Sequence, residues 1–375
     1  MAGRRGNSEG RIRKREADGR WEARFVDADG KRRSIYGKTR QEVARLLTTA
    51  LRDREQGMTA YTDRQTLAQY LPSWLEKVRH QVKASTYMKY ETAVRLRLLP
   101  GLGKIALTKL TSQRVQDFYS RKLAEGMSGS AVSNMHGVLS HALQDALRLG
   151  LVHRNVCTVV DLPRLVHREI HPLTEEQARV FLEAVAGDRF ESLYILALST
   201  GMRRGELLAL RWADMDLEKA AIQVAANIQR MPDGWKMDRT KTRHSRRRIA
   251  LTPTAVTALR QHRLRQAEER LRLGPVWADL DLVFPDLAGK IQNPISFVDK
   301  RFKPLLKKAG LPNIRFHDLR HTCATLLLGR GVNPKVVSEM LGHATIAITL
   351  GMYGHVLPHM QEQAAALMDK MLWGS

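Results

Sequence analysis

Two short segments near the end of the chain carry side chains that could act on a phosphate. The sequence reads HDLR at 317–320 and LGH at 341–343, with Tyr353 ten residues after His343. A guanidinium such as that of Arg320 matches the non-bridging oxygens of a phosphate, and imidazoles such as that of His317 move protons near neutral pH. A tyrosine oxygen can attack phosphorus and form a covalent intermediate. These residue types together suit phosphodiester cleavage through a phosphotyrosine bond.

A second guanidinium is predicted at a helix start further upstream. The segment TGMRRGE at 200–206 contains Arg203, and its nearest candidate ion-pair partner is Glu206, three residues on. Arg204 leaves a helix in another direction, so we expect it to have another role. The alternative for Arg203 is an ordinary surface ion pair.

A basic segment, KTRHSR at 241–246, lies between predicted strands at 222–224 and 249–251. A lysine on such a hairpin, here Lys241, could donate a proton to the leaving oxygen of a cleaved phosphodiester. Lys236 is an alternative donor. The segment could instead position phosphates, with Arg243 and Arg246 as DNA contacts.

The chain resembles the tyrosine recombinases, the family of phage-type integrases. Four strings between residues 200 and 355 carry the resemblance, in the family's order: TGMRRGELLALRW, KTRHSRRRIAL, HDLRHTCATLLL and LGHATIAITLGMYGHV. The resemblance implies a catalytic set of Arg203, Lys241, His317, Arg320, His343 and Tyr353. It also implies that Glu206 orients Arg203 and that the product of attack is a 3′-phosphotyrosyl link.

The same resemblance implies the partners. Strand exchange between two duplexes needs four active sites, so we expect a homotetramer on double-stranded DNA attachment sites, with accessory DNA-bending or excision factors as possible partners. The implied biological role is to integrate or excise a phage or mobile element. A type IB topoisomerase would share the chemistry, and a catalytically silent DNA-binding regulator would share the binding. The basic N-terminal segment disfavours the first, and the complete residue set disfavours the second.

No metal or other cofactor is predicted. His317 and His321 stand four residues apart, as some zinc ligands do, but the HExxH signature is absent and no convergent carboxylates are evident. We therefore interpret His321 as a structural residue. The phosphotyrosine stores the energy of the broken bond, so ATP is not needed either.

Composition points to a polyanionic partner. The 375 residues hold 62 Lys and Arg against 38 Asp and Glu, a formal net charge of +24, and cationic surface releases counterions from nucleic acid. Cys157 and Cys323 are the only cysteines, too few and too distant for a zinc ribbon or a disulfide framework. No apolar run is long enough for a membrane span, and no signal peptide is evident. We expect a cytoplasmic protein on the DNA of a bacterial host.

Residues 1–60 are predicted to form an arm-type DNA-binding module. Residues 1–50 contain 14 Lys and Arg against 7 Asp and Glu. Strands are predicted at 21–25 and 31–36 around a turn at Asp29-Gly30. A helix follows from Thr39, with Glu42 as its capping-box partner. The candidate DNA contacts of this module are Arg24, Lys31, Arg32 and Arg33.

Two further domains complete the predicted fold, which is multidomain and mainly α. Helical periodicity in 65–165 predicts an all-α core-binding domain, with Ser85 and Thr111 as helix caps. A mostly α catalytic domain with a small β-sheet is predicted for 172–375. Its first helix should begin at a capping box, Thr174 to Gln177, and bury Phe181, Leu182 and Val185.

Overall fold

The computed structural model describes residues 11–27, 30–55, 65–165, 171–239, 246–354 and 360–374. The chain divides into two compact units between His167 and Arg168. No helix of the described residues is long and apolar enough to cross a membrane.

The first unit begins with a small sheet packed on one helix. Its elements are β1 (Arg11–Lys14), β2 (Trp21–Val26), β3 (Arg32–Gly37) and α1 (Arg40–Glu55). The strands are antiparallel in the order β1-β2-β3. Alternation places one set of side chains, including Ala23 and Phe25, against Val43 and Leu47 of the helix. The predicted hairpin and helix are confirmed, although residue 29 of the turn lies outside the described residues.

The cap of α1 differs from the predicted capping box in one bond. The Thr39 hydroxyl accepts from the Glu42 amide at 3.1 Å, as a cap does, but the Glu42 carboxylate accepts from the amide of Lys38 at 2.8 Å. Glu42 therefore closes the turn one residue earlier than a capping box would.

Helices make up the rest of the first unit. They are α2 (Leu67–Arg79), α3 (Ala84–Ala93), α4 (Leu99–Leu102), α5 (Ser112–Ala124) and α6 (Gly129–Arg148), with a π-helical turn at Val94–Leu98 and 3₁₀ turns at Leu107–Lys109 and Val156–Val159. The periodicity of this region predicts an apolar stripe on α2, and the stripe is buried throughout: Leu67, Leu71, Trp74, Leu75 and Val78. Phe118 and Tyr119 of α5 are also core residues.

One predicted cap in this region is right and one is wrong. The Thr111 hydroxyl accepts from the Arg114 amide, so it caps α5 as predicted. Ser85 does not cap α3. The helix begins earlier because the Lys83 carbonyl already accepts from the amides of Thr86 and Tyr87, which places Ser85 inside the first turn.

The second unit alternates helices with short antiparallel strands. Its elements are α7 (Glu175–Ala184), α8 (Glu191–Thr200), α9 (Arg204–Leu208), β4 (Met215–Asp216), β5 (Ala221–Val224), β6 (Ala226–Met231), β7 (Gly234–Arg239), β8 (Arg247–Ala250), α10 (Pro253–Leu273), α11 (Pro294–Phe297), α12 (Lys303–Lys308), α13 (Asp318–Gly329), α14 (Pro334–Leu341), α15 (Ile346–Tyr353) and α16 (Met360–Trp373). The described strands form one sheet in the order β4-β5-β8 and a hairpin of β6 and β7.

The core of the second unit surrounds α8, which packs against α10 and α13. The Thr174–Gln177 capping box is confirmed. Phe181 and Val185 are fully buried, but Leu182 is 37% exposed, so the prediction that it is buried is wrong. The buried stripe of α7 follows Ala178, Phe181 and Val185, and Leu182 lies beside this stripe.

Candidate active site

A buried carboxylate, Glu206, holds two arginines in the second unit. Arg203 precedes α9, and its backbone amide and Nη1 each donate to Glu206 at 2.9 Å. Arg247 of β8 donates through Nη1 at 3.2 Å and Nη2 at 2.8 Å. Burial alone would raise the pKa of Glu206, but the hydrogen bond from Arg247 and the charges of both arginines hold it below its ordinary value. The carboxylate therefore stays ionised.

Arg320, in the first turn of α13, is fixed by two helix ends. Its Nη1 donates to the carbonyl oxygens of Gly201 and Leu341, each at 2.8 Å. These carbonyls lie at the C-terminal ends of α8 and α14, where the helix dipole favours a cation. Each helix turns away through a left-handed glycine, Gly201 (φ 60°) and Gly342 (φ 69°). Nη2 of Arg320 is buried and has no hydrogen-bond partner among the described residues.

Arg203 also binds the C-terminal end of α14. Its Nη2 donates to the carbonyl of Gly342 at 3.1 Å, next to the carbonyl of Leu341 that holds Arg320. Burial and the neighbouring charge of Arg203 lower the pKa of Arg320 to about 10. The guanidinium of Arg320 therefore remains charged at neutral pH.

His343 follows Gly342 and is half-buried. Its Nδ1 is 2.7 Å from the hydroxyl of Thr349, so a contact with a substrate would use Nε2. Burial, and then the charge of Arg320, lowers the pKa of His343 to about 4. The ring is neutral at pH 7 and can donate one N–H without changing its charge.

Tyr353 ends α15 and is 2% exposed. It packs against apolar residues of α13 and α14, including Leu328 and Leu341. Its hydroxyl lies 2.6 Å from Nδ1 of His321. Burial raises the pKa of Tyr353 to about 12. The phenol is therefore protonated at neutral pH and must lose its proton to attack.

His317 precedes α13 and lies beside His321. The two rings meet edge to face, with centroids 5.0 Å apart. Burial, and then the neighbouring imidazole of His321, lowers the pKa of His317 to about 4. In the described part of the chain, the hydroxyl of Tyr353 contacts His321 and not His317.

The fold thus gathers most of the predicted catalytic set. Five members lie at the starts of α9 and α13, just after α14 and at the end of α15: Arg203, His317, Arg320, His343 and Tyr353. Lys241 and Arg243 lie outside the described residues. The alternative donor Lys236 is on β7, 2.5 Å from Asp233.

The predicted DNA contacts of the first unit occupy different faces of its sheet. Arg24 and Arg32 are exposed on the face opposite α1, where Arg24 donates to Glu22 at 2.9 Å. Arg33 alternates to the other face and pairs with Asp27 at 2.8 Å. Lys31 is exposed at the start of the return strand, and in the second unit Arg246 is exposed just before β8.

Two site residues were not identified from the sequence. Arg247 stands in a run of arginines, which conceals it in the sequence. The signal that could identify it is alternation: Arg247 and Ile249 share the buried face of β8, and their neighbours are exposed. His321 was set aside as structural, although its spacing from His317 places both on one helix face. The described residues contain no cluster of potential metal ligands.

Comparison with known families places the chain. Residues 171–360 match the phage integrase family, and residues 66–123 match the N-terminal SAM-like domain of phage integrases. A XerC-like tyrosine recombinase of Caldanaerobacter subterraneus is 32% identical over 92% of this chain and 94% of its own length. An integrase of Streptomyces ambofaciens is 30% identical over 98% of both chains.

Solved structures agree with the fold. The Tn1549 transposon integrase in complex with transposon right end DNA has a TM-score of 0.68 and 25% identity, and the match covers 81% of this chain and 99% of that one. A lambda integrase tetramer bound to a Holliday junction has a TM-score of 0.57 at 18% identity, with coverage of 91% and 97%. The chain therefore belongs to the phage integrase family of tyrosine recombinases, enzymes that break and rejoin DNA strands in site-specific recombination.

Proposed function

We propose that Tyr353 is the nucleophile that cleaves one DNA strand and becomes linked to its 3′ phosphate. The observation that carries this proposal is the donor on Nη2 of Arg320, which is buried without a partner among the described residues. A buried charged donor without a partner costs free energy. An oxygen of the scissile phosphate would accept from this donor. Arg320 is on α13, the helix that also carries His321, the hydrogen-bond partner of Tyr353.

Two guanidiniums and one imidazole would stabilise the charge that develops on the phosphate. Arg203 and Arg320 are held by carboxylate and carbonyl partners before any substrate arrives, so little reorganisation is needed during the reaction. Nε2 of His343 would donate the third hydrogen bond. Glu206 orients Arg203 and does no acid–base chemistry in this scheme.

Two proton transfers accompany the exchange. Lys241 would protonate the leaving 5′ oxygen, because an alkoxide is a poor leaving group. His317 and the neighbouring His321 would take part in moving the phenolic proton of Tyr353. A 5′ hydroxyl of a partner strand then attacks the phosphotyrosine and reverses the step. The scheme uses neither ATP nor a metal.

The three segments would have separate tasks. Residues 1–60 would bind arm-type DNA through the exposed arginines of the small sheet, such as Arg24 and Arg32. Residues 65–165 would bind the core site, and residues 172–375 would catalyse strand exchange. The substrate would be double-stranded attachment sites of a phage or mobile element, in the cytoplasm of a bacterial host, with accessory DNA-bending or excision factors as further partners.

A homotetramer on DNA is the assembly that this reaction requires. Helix α16 supports it, because Leu367, Met371, Leu372 and Trp373 are exposed, and an exposed apolar cluster marks an interaction surface. The lambda integrase of similar fold is a tetramer on a Holliday junction.

A suicide substrate tests the assignment of the nucleophile. In a nicked core site, cleavage releases a short fragment that carries the free 5′ hydroxyl. This fragment diffuses away, so the covalent intermediate is trapped. The intact protein should form an adduct whose linked peptide contains Tyr353. Tyr353→Phe should bind the same DNA with unchanged affinity and form no adduct. An adduct in the variant, or one that maps to another residue, would refute the proposal.

A further inference from the structure

The contact between His321 and Tyr353 assigns a role to a histidine outside the predicted catalytic set. We propose that Nδ1 of His321, and not His317, accepts the phenolic proton when Tyr353 attacks the phosphate. This inference rests on the proposed function, because it presumes that Tyr353 is the nucleophile.

The contact is direct and shielded from water. Nδ1 of His321 lies 2.6 Å from the Tyr353 hydroxyl, within the distance at which a base takes a proton. His321 is 5% exposed and Tyr353 2% exposed. The two rings are held with centroids 5.7 Å apart. A solvent molecule is therefore not the nearest acceptor for this proton.

The protonation states of the two groups define the direction of the hydrogen bond. Burial lowers the pKa of His321, opposed by Asp318 and aided by Arg315 and Arg320, so the ring is neutral at pH 7 and has one acceptor nitrogen. Tyr353 is a neutral phenol with one hydrogen to donate. We assign the ring hydrogen to Nε2 and the acceptor to Nδ1, because this tautomer gives the buried phenolic hydrogen a partner.

The helix that carries the base also carries the phosphate ligand. Arg320 is the preceding residue, and its charge lowers the pKa of Tyr353 against the effect of burial. The start of α13 would thus hold the phosphate with one side chain and the attacking oxygen with the next. His317, whose ring meets His321 edge to face, would act on the phenol only through His321.

The proton balance of the step is closed. The Tyr353 oxygen forms a bond to phosphorus while the bond to the 5′ oxygen breaks. The phenolic proton moves to Nδ1 of His321 and gives an imidazolium, and Lys241 supplies the proton of the 5′ hydroxyl. In the reverse step, the attacking 5′ hydroxyl returns its proton to Lys241, and the imidazolium returns its proton to the departing phenolate. No oxidant, reductant or further reactant is consumed.

The test separates proton transfer from positioning. In His321→Asn, the side-chain oxygen can replace Nδ1 as a hydrogen-bond acceptor but takes no proton at neutral pH. Single-turnover cleavage of a suicide substrate should fall by about 10²- to 10⁴-fold, the usual contribution of a general base, while DNA affinity stays unchanged. A ring-fluorinated tyrosine at position 353 has a more acidic phenol and depends less on a base. In His321→Asn it should raise the cleavage rate by at least about tenfold. In the protein that keeps His321, the same fluorination should raise the rate much less.

Each outcome bears on the proposal. His321→Asn that cleaves at the rate of the intact protein, or faster, would overturn it, and so would a loss that fluorination does not relieve. If the variant fails to fold, ¹⁵N chemical shifts of labelled histidine in the intact protein still decide: Nδ1 of His321 should be unprotonated, and an Nδ1–H would refute the assignment. An adduct that maps away from Tyr353 refutes the proposed function instead, whatever the histidine does.

Discussion

Replacement of Arg247 by methionine tests how much the buried ion-pair network contributes to the site. Arg247 is 9% exposed and donates three hydrogen bonds: two to Glu206, and one through Nε to the carbonyl of Met340 at 2.7 Å. Methionine has a similar length and fills much of the same volume, so the change removes mainly charge and hydrogen bonds.

The magnitude follows from what is left behind. Hydrogen bonds to charged groups contribute about 1.5–3 kcal/mol each, so three would suggest about 5–9 kcal/mol. That sum is too large, because Glu206 keeps its bonds to Arg203. Breaking one partner of a buried pair costs about 3–5 kcal/mol, and we expect this loss in the free energy of unfolding of the second unit.

Arg248 is the matched control. It is the next residue of β8 and is exposed, so Arg248→Met removes the same charge without a buried contact and should change the free energy of unfolding by less than about 0.5 kcal/mol. Urea-dependent hydrogen exchange, read on peptides from 200–215 and 246–260, measures both variants in the intact chain. Equal urea dependence of the two variants would refute the reasoning.

The pH dependence of the same difference has a definite sign. Glu206 has a pKa below its ordinary value of 4.5 in the folded protein. Its contribution to stability is therefore complete above pH 4.5 and is lost as the pH falls through the lower folded pKa. Without Arg247, burial is less opposed and this contribution shrinks. The difference between Arg247→Met and the intact protein should be largest near pH 7 and narrow below pH 4.5.

Three further changes test other parts of the chain. Arg320→Lys keeps the charge but loses the planar fork, so single-turnover cleavage should fall by about 10²-fold or more, and a rate near that of the intact protein would make Arg320 merely structural. Gly342→Ala places a Cβ 2.9 Å from Nη1 of Arg247 at a φ of 69°, so it should destabilise the protein by about 1–2 kcal/mol in thermal or urea unfolding. At Gly351 an added Cβ meets nothing within 4 Å, so Gly351→Ala should stabilise α15 by about 0.5–1 kcal/mol. Changes of the same sign in both variants would contradict this account. Deletion of residues 1–60 should leave suicide-substrate cleavage of a core site detectable but weaken recombination between full attachment sites much more, because a tethered DNA contact raises effective concentration; equal recombination by both chains would remove the arm-binding role.

Sequence reasoning worked best where the determinants are local. The apolar stripe of α2 and the caps at Thr111 and Thr174 depend on residues within one or two turns, so periodicity and capping rules predict them. The predictions for Ser85 and Leu182 were wrong for two different reasons. A helix can begin on backbone bonds alone, and a residue at the edge of a stripe is buried only if a neighbour covers it.

The site could be predicted in composition but not in its contacts. The family resemblance supplied the residue types, yet Arg320 is held by Gly201, 119 positions away, and Arg203 by Gly342, 139 positions away. Such contacts depend on how α8 and α14 pack, which no local pattern encodes. Arg247 and His321 were missed because only their partners, Glu206 and Tyr353, reveal their significance.

The shared carboxylate has a consequence for the free protein. Three guanidiniums, those of Arg203, Arg247 and Arg320, lie around a single carboxylate, and the nearby imidazoles of His317 and His343 are neutral at pH 7. The repulsion between these guanidiniums makes the site favourable for an anion. Any oxyanion that binds the folded state better than the unfolded one stabilises the fold by mass action. Sulfate or phosphate buffers would therefore protect the protein against heat while competing with the DNA that it acts on.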